Sequence, residues 1–90
     1  MDKPIRVLII DDSEDDCLLL VRELKKGGFV PTYERVDIAE AMTDALNNHR
    51  WDLILCDYSM PSFSASSALE IYNQNGFDMP FIIVSGTIAD

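Results

Sequence analysis

Short β-branched apolar runs that stop at a carboxylate constrain this chain more than any other feature it has. Ile5-Arg6-Val7-Leu8-Ile9-Ile10 halts at Asp11-Asp12, and Leu53-Ile54-Leu55-Cys56 halts at Asp57. Near-continuous apolar runs of this length are what strands buried on both faces require. A third run, Phe81-Ile82-Ile83-Val84, ends at Ser85-Gly86-Thr87. Between these runs the spacing becomes helical. Ser13 predicts an N-cap, with Glu14, Asp15 and Asp16 in the first turn, where negative charge complements the helix dipole. Cys17, Leu20, Val21 and Leu24 share a face that Leu18 and Leu19 broaden, and Lys25-Lys26 before Gly27-Gly28 closes the helix.

The remaining segments complete an alternation. Val30 to Val36, interrupted by Pro31 and two charges, predicts an edge strand. Asp37 and Glu40 predict a capping box for a second helix whose stripe is Ile38, Ala41, Met42, Ala45 and Leu46. Ala65, Ala68, Leu69, Ile71 and Tyr72 predict a third helix ended by Asn75-Gly76. The order β-α-β-α-β-α-β with short connections implies an α/β fold, a doubly wound parallel sheet with helices on both faces. Ligands of such sheets bind beyond the carboxyl ends of the strands.

Composition narrows the function. The 90 residues make one domain, and sixteen acidic against seven basic side chains give a formal charge of -9. A phosphate backbone would be repelled by that field, so no direct nucleic-acid partner is expected. No apolar run approaches the roughly 20 residues that span a bilayer, so no membrane association is expected either. Met1-Asp2-Lys3-Pro4 lacks the features of a secretory signal, which makes the cytoplasm the expected location. Cys17 and Cys56 lie inside apolar segments and are expected to be reduced core thiols.

In a parallel sheet the polar residues at the strand ends converge. Asp12 and Asp57 are 45 positions apart, and Asp57 and Ser85 a further 28, yet all would meet at one edge. Each aspartate alone reads as a cap or turn former. Four polar groups at equivalent ends of three buried runs are harder to explain by capping. Carboxylates this close repel one another unless a cation neutralises them, and an all-oxygen set without nearby His or Cys suits Mg²⁺ or Mn²⁺ rather than zinc.

From Ile5 onward the chain resembles a response-regulator receiver domain of two-component phosphorelays. The resemblance rests on Val7-Leu8-Ile9-Ile10-Asp11-Asp12-Ser13, on Asp57-Tyr58-Ser59-Met60-Pro61 and on Ile83-Val84-Ser85-Gly86-Thr87. It implies a flavodoxin-like sheet of strand order 2-1-3-4, and a signalling module rather than an enzyme. It further implies that Asp57 is the phosphoryl acceptor, and that Asp11, Asp12, Asp57 and the backbone carbonyl of Ser59 hold Mg²⁺. Ser85 would hydrogen-bond the phosphoryl group and switch the surface that partners read. The implied partners are a sensor histidine kinase or phosphotransfer protein and an output domain or downstream protein.

The chain departs from the family in two places. Ser62-Phe63-Ser64-Ala65 contains no glycine, where receivers usually carry one, so the loop beside the acceptor is expected to differ. The fifth strand and fifth helix, with the lysine that contacts the phosphoryl oxygens, are absent from residues 1–90. Residues 1–90 are therefore expected to be a receiver domain incomplete at its C-terminus, with an exposed fourth strand and a tendency to self-associate. Two other readings compete. One is a receiver-like dimerisation module deficient in phosphoryl transfer. The other is an aspartate-nucleophile phosphatase, which wants an Asp-x-Asp pair where this chain has Asp11-Asp12-Ser13.

Overall fold

A computed structural model describes residues 2–58, 60–61 and 63–84. Its elements follow in strict alternation: β1 (Lys3–Ile10), α1 (Glu14–Lys26), β2 (Phe29–Val36), α2 (Ala39–Asn48), β3 (Leu53–Asp57), α3 (Ala65–Gln74) and β4 (Phe81–Val84). All three strand pairings are parallel and the order across the sheet is β2-β1-β3-β4. The expected architecture is therefore the one adopted.

Period-two alternation along β1 and β3 divides the core between two faces. Val7, Ile9 and Leu55 meet Cys17 and Val21 of α1. On the opposite face Leu8, Ile10, Ile54 and Cys56 meet Met42, Ala45 and Leu46 of α2, and Ala65 and Ala68 of α3. β2 lies at the edge, as Pro31 requires, because a proline cannot donate to a second neighbouring strand. β4 forms the other edge, with Ile82 and Ile83 each close to half exposed.

Local sequence explains most element ends. Ser13 caps α1, its hydroxyl accepting from the Asp16 amide at 3.2 Å. α1 ends at Gly27, and Gly28 turns the chain at φ 92°, a conformation that favours glycine. Ser64 caps α3 by accepting from the Ser67 amide at 3.1 Å, so the serine-rich stretch begins the helix. The capping box at Asp37 does not form. The N-cap of α2 is Ile38, with no side-chain cap and half exposed, because the Asp37 carboxylate lies 3.7 Å from the Arg35 guanidinium instead.

The amino edge of the sheet is pinned by a reciprocal pair. The Arg6 amide donates to the Asp52 carboxylate at 2.9 Å, and the Asp52 amide donates to the Arg6 carbonyl at 2.8 Å. Next to it, the Trp51 indole donates to the Ala45 carbonyl, seating the end of α2 on the sheet, while His49 lies exposed and edge-on to Trp51. These contacts set where β3 begins, and so where its last residue emerges.

Candidate functional site

Three aspartates meet at the carboxyl edge of the central strands. Each of Asp11, Asp12 and Asp57 offers a carboxylate oxygen, and these oxygens all lie within 4.8 Å of one another. Adjacency of β1 and β3 brings them together. Ile10 pairs with Cys56, so the residues that follow in each strand are neighbours. Asp57 is itself the last strand residue, paired with Val84, and the next amide, that of Tyr58, donates to the Val84 carbonyl at 2.9 Å. The acceptor candidate thus sits on regular sheet backbone. The Tyr58 side chain is largely exposed, as befits a loop aromatic.

Burial differs among the three. Asp11 and Asp57 are buried, and Asp12 is exposed. Burial pushes the Asp11 carboxyl above its ordinary value; the Ser13 amide, donating to Asp11 Oδ1 at 2.9 Å, opposes this, and the charges of Asp57, Asp16 and Asp12 reinforce it. Folding has therefore concentrated negative charge in a place that penalises it. The neighbouring thiols report the same field. Cys56 is pushed up to about 12 by burial and then by Asp57 and Asp11, and Cys17 is raised by burial and Asp11. Both remain free, buried thiols.

Asp11 is also held by its backbone. Its amide donates to the Val36 carbonyl at 2.9 Å, and its carbonyl accepts from Arg35 Nη1 at 3.1 Å. Nothing local to β2 in the sequence points to Arg35. Only the parallel register, Ile9 opposite Arg35, brings it within reach.

In the loop after β3, Met60 and Phe63 are buried with α2 and α3. Phe63, in the segment that lacks glycine, was not expected in the core; an aromatic in a polar loop gives no periodic signal. Two expected site residues, Ser59 and Ser85, lie outside the described residues.

The donor set fits a hard divalent cation. It is all oxygen, carboxylate-rich and spaced for shared coordination, with no imidazole or thiolate in the group. Among the described residues, no helix is long and apolar enough to cross a membrane.

Comparison with known proteins points the same way. The family described as response regulator receiver domain matches residues 7–90. Among solved structures, the chain is similar to the "Structure of the Francisella response regulator 1452 receiver domain", with a TM-score of 0.72 and 22% identity. That match covers 94% of this chain and 69% of the other, and at such identity it speaks for a shared fold. No curated protein matches the chain.

Proposed function

Because this chain belongs to the response regulator receiver domain family, we propose that Asp57 accepts a phosphoryl group from a phosphohistidine on a partner, with a divalent cation held by Asp11, Asp12 and Asp57 itself. The observation that carries this reading is the mutual approach of Asp11, Asp12 and Asp57 within 4.8 Å at the carboxyl edge of β1 and β3. A bound Mg²⁺ or Mn²⁺ would offset the crowded carboxylates and the charge that develops on the transferring phosphoryl oxygens.

The chain's own groups do the rest. An Asp57 carboxylate oxygen forms the bond to phosphorus as the phosphorus–nitrogen bond of the donor breaks, and the departing imidazole keeps the electron pair. The sheet bond from Tyr58 to Val84 fixes the backbone beside that carboxylate, so attack needs no rearrangement of the strand. Asp11 is aimed by the Ser13 amide, and Asp12 faces solvent, where a cation would enter. The Ser59 carbonyl completes the protein ligands in this reading. Ser85 takes the role of hydroxyl donor to the new phosphoryl group and moves the segment after β4. The partners are a sensor histidine kinase or phosphotransfer protein upstream and an output domain or downstream protein, in the cytoplasm. Residues 1–90 act as one receiver domain, a signalling module.

Acetyl phosphate with Mg²⁺, followed by intact-mass measurement, tests the assignment. A phosphoryl adduct is expected on the wild type and none on Asp57→Asn. Labelling that survives Asp57→Asn, or that maps to Asp11 as an aspartate-nucleophile phosphatase would require, overturns it.

Exposed Leu18 and Leu19 on α1, with Ile82 and Ile83 on β4, support self-association as a further part of the reading. Sedimentation velocity checks it, and a monomer at every concentration rejects it.

A further inference from the structure

Asp11 is gripped at three points, and two of the three come from the end of β2. Val36 takes its amide, Arg35 takes its carbonyl, and the Ser13 amide takes one oxygen of its carboxylate. The amide bond to Val36 continues the β1–β2 ladder, whereas the carbonyl bond depends on one long side chain reaching across 24 residues of sequence. Arg35 Nη1 also lies 3.7 Å from Asp37 Oδ2, so one guanidinium ties the connection after β1 to the connection after β2.

We propose that Arg35 is a positioning residue for the aspartate cluster, holding the Asp11 carbonyl so that the Asp11-Asp12-Ser13 turn presents both carboxylates in a fixed arrangement. This rests on the reading of Asp11, Asp12 and Asp57 as a divalent-cation site. A cation beside an acidic site has two opposite effects: its charge competes with the metal, and its hydrogen bond stiffens the ligands. Here the stiffening dominates. The guanidinium donates to a backbone carbonyl rather than to a ligand carboxylate, and Asp37 takes up part of its charge. Partners one bond removed from a metal's ligands commonly govern its affinity in this way. A planar fork can serve both acceptors, whereas a lysine ammonium is a compact point charge.

Amide hydrogen exchange at Ser13 and Mg²⁺ titration, both followed by NMR on wild type, Arg35→Gln and Arg35→Lys, test the proposal. In Arg35→Gln, exchange at Ser13 should rise about tenfold. Mg²⁺ affinity should fall roughly three- to tenfold, with the thermal midpoint nearly unchanged. Arg35→Lys should recover part of both. Exchange at Ser13 unaltered in Arg35→Gln, or Mg²⁺ bound as tightly or more tightly, overturns the assignment. A merely structural arginine would shift the midpoint and leave Mg²⁺ affinity alone. If wild type takes up no Mg²⁺, the cation-site reading fails, and exchange at Ser13 still decides whether Arg35 holds the turn.

Discussion

The two faces of the sheet are built to different depths. Among the described residues, twelve buried under α2 and α3 form a continuous core that takes in Met60 and Phe63 from the loop. Under α1 five of the described residues are buried, and Leu18 and Leu19 on that helix are about half exposed. The aspartates belong to the thinner side by alternation: Asp11 continues the series Val7 and Ile9, and Asp57 continues Leu53 and Leu55. Within residues 2–84 the α2–α3 side is the better packed, and the cluster reaches solvent at the carboxyl edge of the sheet through exposed Asp12.

Adjacent residues on one strand offer the sharpest way to break this comparison. Leu8 and Ile9 are both fully buried in β1 and point to opposite faces. Leu8→Ala should cost about 3–4 kcal/mol, because the packed α2–α3 side cannot collapse around the cavity, and Ile9→Ala about 2–3 kcal/mol. Urea denaturation of the two variants measures the difference, and equal or reversed costs would remove the distinction between the faces.

A smaller effect is expected where the thin face meets the cluster. Burial and neighbouring charge raise the folded Asp11 carboxyl above its ordinary value of 3.8, so the folded state binds the proton more tightly than the unfolded one. Stability should then decline as pH rises from about 3.8 through the raised folded value, and stay lowered above it. Asp11→Asn removes this cost, so its thermal midpoint at neutral pH should exceed that of the wild type, with a flatter pH profile across the window. Added Mg²⁺ should stabilise the wild type more than the variant. A wild type no less stable at pH 7 than at pH 4, relative to Asp11→Asn, would contradict the charge-crowding account.

The smallest effect should come from the bare side chains of α1. Leu19→Lys should change unfolding free energy by no more than about 0.5 kcal/mol, since little packing is lost. It should nevertheless weaken any self-association seen by sedimentation. Destabilisation by well over that amount would mean that Leu19 is packed, and that the thin face is better filled than its exposure indicates.

How much of this was legible in the sequence depended on range. Signals confined to a few residues were reliable where one partner was available: Ser13 caps α1, and Gly27-Gly28 ends it. The buried runs of β1 and β3, and the convergence of Asp11, Asp12 and Asp57, followed from alternation and the parallel sheet, and the structure places the three together. Asp37 failed as a cap because a second partner, Arg35 in the preceding strand, competes for it. Phe63 and the reach of Arg35 to Asp11 were invisible for the same physical reason. Each depends on a neighbour fixed by tertiary register rather than by sequence spacing.

The Arg6–Asp52 pair bears on errors of assembly. A one-residue slip of β3 along β1 would turn Asp57 to the opposite face, and the aspartate cluster would never form. Asp52 precedes Asp57 by five residues, roughly 17 Å of extended chain at the usual strand rise. The pair closes a contact between residues 46 apart, so it forms only once the intervening chain has been gathered in. Misaligned chains forfeit both of its hydrogen bonds at the far edge of the sheet. The pair thus adds, from the end of the sheet remote from the aspartates, to a register that the buried runs of β1 and β3 already set.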